Sequence, residues 1–195
     1  MAEELRKETL MDKAVQHYRT LKPNIRSGDL IFASGNYYTS RLIREATDSS
    51  WSHVGILYVA KDINRTLILE SVEDSGVRVV PVEKYLTDYA NDKPYEGEVV
   101  VARVRGPNAS DRKKMIASGV DELTRPYDRD EITRIAARIA LKIGRYRRDR
   151  EYICSELVYE CFKNAGWQFS FDARGFISPA NIWSHNEVSL IGRIL

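Results

Sequence analysis

Strand patterns and helical patterns occupy different parts of this 195-residue chain, and their order restricts the fold more than any other feature. Between residues 30 and 104, short apolar runs rich in β-branched side chains alternate with turns of Gly, Asn and Asp, which is typical of strands. After Pro107 the apolar residues recur at helical spacing instead. A run of strands followed by a run of helices predicts an α+β fold, in which an antiparallel sheet packs against helices.

The individual elements follow from the same patterns. Strands are expected at residues 30–33, 52–60, 65–72, 77–82 and 98–104. Helices are expected at residues 39–47, 110–124, 131–143 and 153–165. Because apolar residues also recur at helical spacing before Pro23, we expect residues 1–24 to form an N-terminal amphipathic helix and residues 25–195 to form a single domain.

Charge and hydropathy exclude several classes of protein. Thirty Lys and Arg against 28 Asp and Glu give a net charge of +2, so no nucleic-acid partner is expected. The basic cluster at residues 145–150 is typical of a solvated face or of a contact with an acidic partner. No apolar run approaches the roughly 18–20 residues that span a bilayer, and the charged N-terminus lacks a signal-peptide core. A cytoplasmic location is therefore expected, with non-classical export left open.

The two cysteines differ in their surroundings. Cys154 lies where a charged stretch gives way to an apolar helical pattern, and the amino end of a helix stabilises a thiolate. Cys161 follows inside the same helix, with its Cα about 10 Å away, beyond the roughly 7 Å that a disulfide allows. Cys161 is interpreted as a core residue. Cys154 is a candidate nucleophile, with the alternative that it is also a small buried apolar residue.

A candidate base and a candidate carboxylate come from the predicted hairpin. If paired positions sum to 123 or 125, Glu70 lies on the same face as His53, directly opposite or one diagonal away. Glu70 could then orient the imidazole while the other ring nitrogen takes the thiol proton of Cys154. The alternatives are a strand-end histidine without a catalytic role and an edge glutamate that faces water.

The sequence offers no support for a metal or a cofactor. Three scattered histidines and two cysteines on one helix do not have a usual ligand spacing. Phosphate-binding loops, dinucleotide fingerprints and the G-x-S-x-G elbow are also missing from the sequence.

An ordered set of short motifs carries a family resemblance. These are GDLIF at residues 28–32, SRLIR at 40–44, SHVGI at 52–56, PYD at 126–128 and YICSELV at 152–158. With them the chain resembles the YiiX/YebB-like branch of the permuted papain-like cysteine hydrolases. These proteins are relatives of NlpC-type peptidases in which the nucleophile helix follows the sheet. The resemblance implies a permuted papain-like fold, with an antiparallel sheet or partial barrel packed against helices and an extra N-terminal helix here.

The same resemblance implies roles for particular residues. Cys154 would be the nucleophile, His53 the base and Glu70 the third polar residue. Candidate residues for binding the oxyanion or the substrate are Tyr127, Tyr152, Ser52 and Trp51.

Three functions remain open at this point. The leading hypothesis is a cysteine amidase or peptidase that forms a thioester with an amide substrate, possible substrates being cell-wall-type peptides or amino-acid amides. The second is a lipid or acyl-amide hydrolase or acyltransferase with the same triad, its acyl chain lying among aromatic residues. These aromatic residues are Tyr37, Tyr38, Trp51, Trp167 and Phe169. The third is a binding module in which Cys154 is inert. The substrate and the oligomeric state cannot be derived from the sequence.

Overall fold

The computed structural model describes residues 2–90, 92–127, 153–171 and 177–195. The helix expected at residues 131–143 and the basic cluster at residues 145–150 lie outside this part of the chain.

Six strands of the described residues form one antiparallel sheet in the order β4-β3-β2-β1-β5-β6. The strands are β1 Leu30–Gly35, β2 His53–Ala60, β3 Arg65–Val72, β4 Gly76–Pro81, β5 Gly97–Val104 and β6 Val188–Arg193. The five strands expected from the sequence are confirmed, and the sixth is an addition. One boundary prediction was wrong, because Val82 does not end β4 but begins a helix, and the extended backbone of Pro81 caps that helix.

The helices are α1 Ala2–Leu21, α2 Tyr38–Thr47, α3 Val82–Thr87, α4 Ala109–Val120, α5 Cys154–Asn164 and α6 Pro179–Trp183. Short 3₁₀ turns occupy Lys22–Asn24 and Lys61–Ile63. Asn108 starts α4 with a capping box, since its side chain accepts hydrogen bonds from the backbone N–H groups of Ser110 and Asp111. Among the described helices, none combines the length and the apolar character needed to cross a bilayer.

Helices cover both faces of the sheet. Side chains alternate along each strand, so Val54 and Ile56 point to the face that α4 and α5 cover. Leu57 and Ile68 point to the opposite face, where they share a core with residues of α1 and α3. The sheet is therefore the middle of three layers, and an antiparallel sheet packed against helices, as predicted, is confirmed.

Candidate active site

The register of β2 and β3 places His53 and Glu70 on one face of the sheet. Ile56 pairs with Leu69, and the residue numbers of every pair in this register add up to 125. Glu70 therefore lies opposite Gly55 and one diagonal from His53. The Nε2 atom of His53 is 2.8 Å from Oε2 of Glu70. Gly55 lies beside this pair, since a Cβ at this position would be in van der Waals contact with the Cβ of Glu70, at 3.4 Å.

Cys154 reaches the same imidazole from another layer. It is the first residue of α5, and its side chain lies near enough to His53, the first residue of β2, to raise the pKa of the imidazole. Because Nε2 is bound to Glu70, Nδ1 is the ring nitrogen left to exchange a proton with the sulfur. Cys154 is buried in the core under α5, and His53 is mostly buried. The three side chains therefore meet at one end of the sheet.

Glu70 has further donors besides His53. Arg78, its direct partner on β4, donates from Nε to Oε1 at 2.9 Å, and the Nη2 atom of Arg78 lies 2.9 Å from the same oxygen. The hydroxyl of Tyr85 on α3 donates to Oε2 at 2.6 Å. Since the Glu70 side chain is 0% exposed, these three residues replace its contacts with water.

These contacts determine the charges in the site. Burial by itself would lower the pKa of His53, but the Cys154 sulfur and the Glu70 carboxylate outweigh it and raise this pKa to about 10. Burial by itself would raise the pKa of Glu70, but His53, Arg78 and Tyr85 outweigh it and hold this pKa below its usual range. The site therefore favours an imidazolium between a sulfur and a carboxylate.

Sequence reasoning did not identify Arg78 and Tyr85. Tyr85 comes from a helix on the face opposite α5, and its pKa lies well above the usual value because burial and the charge of Glu70 disfavour the phenolate. It therefore stays a donor. The sequence contained a signal for Arg78, since Glu73, Asp74 and Ser75 form the turn of a second hairpin, which brings Arg78 opposite Glu70.

Of the other candidate residues, Ser52 and Trp51 directly precede His53 in the chain. Ser52 bridges the backbone, since its Oγ accepts from the N–H of Gly35 at 3.1 Å and donates to the carbonyl of Ala33 at 3.2 Å. Trp51 packs in the core, with its ring 4.8 Å from that of Trp183. Tyr127 is half-buried, and Tyr152 lies outside the described residues. For all four, a role in binding the oxyanion or the substrate stays a prediction.

The aromatic residues proposed for an acyl groove do not share one surface. Trp51 and Phe169 are buried in the core under α5, whereas Tyr38 is 71% exposed. Tyr37 instead packs against Tyr89 and Tyr95. We therefore find no common groove for a lipid chain among these residues.

The chain is similar to known proteins over most of its length. A model of the permuted papain-like amidase enzymes of the YaeF/YiiX, C92 family matches residues 24–174. The protein OPG091 of vaccinia virus strain Western Reserve is 29% identical over 139 residues, which cover 71% of this chain and 66% of the viral protein. Its counterpart in monkeypox virus is 27% identical over 143 residues, with the same coverage. YiiX of Escherichia coli K12 is 26% identical over 140 residues, which cover 71% of this chain and 58% of YiiX. The matched part of the chain thus spans less than two thirds of these relatives.

A solved structure shares the fold. The crystal structure described as metalloprotein YiiX from Escherichia coli O157:H7 superposes with a TM-score of 0.62 at 19% identity, covering 85% of this chain and 95% of that one. In the described part of the present chain, no three His, Cys, Asp or Glu side chains come together to hold a metal ion. The described residues thus do not fit a metal centre, and no metal ion is used in the chemistry proposed below.

The family match covers strands β1 to β5, helix α5 and the residues of the site, whereas β6 lies beyond it. The order of the elements agrees with a permuted architecture, because the helix that carries Cys154 follows the strands that carry His53 and Glu70. This chain belongs to the permuted papain-like amidase family of YaeF and YiiX.

Proposed function

We propose that this chain hydrolyses an amide bond with Cys154 as nucleophile, His53 as acid and base, and Glu70 as the residue that orients His53. The observation that carries the proposal is a single imidazole that is hydrogen-bonded to a buried carboxylate and also interacts with the sulfur of Cys154. A cysteine of purely structural use needs neither partner.

The first half of the proposed reaction forms a thioester. The thiol proton of Cys154 passes to Nδ1 of His53, and the sulfur anion is stabilised by the imidazolium and by the amino end of α5. The sulfur attacks the carbonyl carbon of the substrate and makes a tetrahedral oxyanion, for which we expect the backbone N–H of Cys154, at the amino end of α5, to be a donor. The intermediate collapses when His53 returns the proton to the leaving amine and the C–N bond breaks.

The second half releases the acid. His53 takes a proton from a water molecule, the hydroxide attacks the thioester carbonyl, and the C–S bond breaks. The proton then returns to the sulfur, so the enzyme is regenerated and one water has been consumed. Throughout both halves Glu70 stays ionised and holds the Nε2–H tautomer, in line with its lowered pKa.

The proposed substrate is the amide bond of a short peptide. Membership of an amidase family supports this class, and cell-wall-type peptides are the first to test. The aminocoumarin amides of such peptides would be assayed beside acyl-amides and phospholipids, with Cys154→Ala as the test variant and Cys161→Ala as the matched control. We expect turnover by the wild type and by Cys161→Ala, and none by Cys154→Ala.

Thiol labelling tests the nucleophile without a known substrate. Iodoacetamide should modify Cys154 faster than a free cysteine at neutral pH, and His53→Ala should remove this advantage. If Cys154→Ala retained turnover, or if Cys154 reacted no faster than free cysteine, the site would not be the proposed one.

A further inference from the structure

The end of the sheet opposite the candidate active site holds a groove that the proposed reaction does not use. It has a volume of about 1140 Å³ and lies between the end of α1, the tip of the β2–β3 hairpin and α4. His53 and Ala60 are the two ends of β2, so at about 3.3 Å per residue the groove lies roughly 23 Å from the imidazole.

The charged side chains of this groove all have one sign. Seven of the residues that line it are Lys or Arg, and none is Asp or Glu. Over the whole chain, 30 Lys and Arg nearly balance 28 Asp and Glu, so positive charge is concentrated in the groove. Arg19, Arg26, Lys61 and Lys113 are exposed. A concave surface of one charge attracts ligands of the opposite charge.

The other three basic residues are held in place by backbone carbonyls. Lys22 and Arg65 both donate to the carbonyl of Asn64, at 3.0 and 3.2 Å, and Arg112 donates to the carbonyl of Pro107. A carbonyl fixes a side chain without neutralising its charge. Lys22 also lies 4.0 Å from Glu83, so it is partly compensated.

Apolar side chains also line the groove, and we call them its floor. Pro23, Val59, Ile116 and Val120 contribute hydrocarbon, and Tyr58 contributes a ring. Two of these side chains are unusually open to solvent, with Tyr58 39% and Val120 44% exposed. A simple anion would leave this apolar surface in water, whereas a ligand with a hydrocarbon part would cover it.

We propose that this groove binds a single-chain phosphorylated amphiphile. Its phosphate head contacts the Lys and Arg side chains of the rim, and its hydrocarbon chain lies on the floor formed with Tyr58 and Val120. The volume of about 1140 Å³ is slightly above the range of about 300–1,000 Å³ that is typical of ligand sites, so it leaves room for one small molecule. A flat bilayer surface does not enter a concavity of this kind, and a nucleic-acid backbone would not use the apolar floor.

The test uses the full chain with Cys154→Ala, so that no turnover consumes the probe and binding is independent of the proposed function. The probe is a 12-carbon lysophosphatidic acid held below its micelle concentration, and binding is measured by isothermal titration calorimetry. Lys113 and Lys114 are neighbours on α4, both exposed, but Lys113 lines the groove and Lys114 does not. Lys113→Glu should weaken binding about tenfold, and Lys114→Glu less than about twofold.

Further measurements separate the two parts of the ligand. Val120→Ser should weaken binding of the lysophosphatidic acid, while inorganic phosphate should bind at least tenfold more weakly than the amphiphile to every variant. In the chain with Cys154 intact, Lys113→Glu should leave turnover unchanged. Three results would overturn the proposal: no binding, equal losses for Lys113→Glu and Lys114→Glu, or tighter binding of a 20-nucleotide DNA or an acidic peptide than of the amphiphile.

Discussion

Arg78 should stabilise the folded chain through its ion pair with Glu70. Arg78→Met keeps much of the stem and removes the cation, which leaves the fully buried Glu70 with His53 and Tyr85 alone. Removing one partner of a buried ion pair typically costs 3–5 kcal/mol. Because the Arg78 side chain is 30% exposed and two donors remain, we expect a loss of about 2–3 kcal/mol in the free energy of unfolding.

The size of this loss should depend on pH in one direction. The pKa of folded Glu70 lies below its unfolded value of about 4.3, so the carboxylate adds stability above that pH and loses it as the pH falls through the folded pKa. Arg78 supplies part of this lowering. The difference between wild type and Arg78→Met should therefore be full at neutral pH and shrink below about pH 4.

The measurement is urea unfolding, monitored by tryptophan fluorescence, at neutral pH and again below about pH 4. The matched control is Arg105→Met, because Arg105 forms an exposed pair with Glu187 at 3.4 Å, and this variant should lose less than about 0.5 kcal/mol. If Arg78→Met lost no more than the control at neutral pH, the pair would contribute little. If the loss were the same at both pH values, Arg78 would act through packing of its stem and not through its charge.

Three more outcomes follow from the site. In Cys154→Ala the pKa of His53 should fall from about 10 because the sulfur contributes to its rise, and an NMR titration that still gave about 10 would assign the whole effect to Glu70. Gly55→Ala should destabilise the fold by about 1–3 kcal/mol, because its Cβ would lie 2.9 Å from Ile68 and 3.1 Å from the carbonyl of Leu69; unchanged urea unfolding would contradict this. Burial raises the pKa of Cys161 to about 12, so mass spectrometry of the folded chain alkylated near pH 8 should find Cys161 unmodified, and modification at both cysteines would refute the difference.

The relation between His53 and Glu70 could be predicted from sequence because it depends only on local geometry. Side chains on a strand alternate with a period of two, so either plausible hairpin register puts the two residues on one face. The turn at Lys61–Ile63, closed by Asn64 in the left-handed conformation, then selects the sum of 125. The placement of His53 next to Glu70 thus follows from the two-residue period of the strands and from the length of the turn between them.

The contribution of Tyr85 could not be predicted, because it depends on how a helix packs. Tyr85 lies on α3, fifteen residues from Glu70 in sequence, and reaches it only because α3 covers that face of the sheet. The strand β6 was missed for a related reason. Its pairing with β5 shifts between Val101 and Ala102, and Leu190 on it is exposed, so the period-two pattern that indicates a strand is interrupted.

The buried ion network around Glu70 is expected to add little net stability, which indicates that it is retained for another purpose. Replacing a buried ion pair by well-packed hydrocarbon is often neutral or stabilising, whereas breaking it is costly. We therefore expect the variant E70L/R78L/Y85F to unfold within about 1 kcal/mol of the wild type, and so to be more stable than Arg78→Met, while it loses all turnover. Urea unfolding of the two variants side by side makes the comparison. If the triple variant proved less stable than Arg78→Met, the network would serve the fold; if it proved as stable as the wild type, orientation of His53 would be the reason that these polar groups are buried at all.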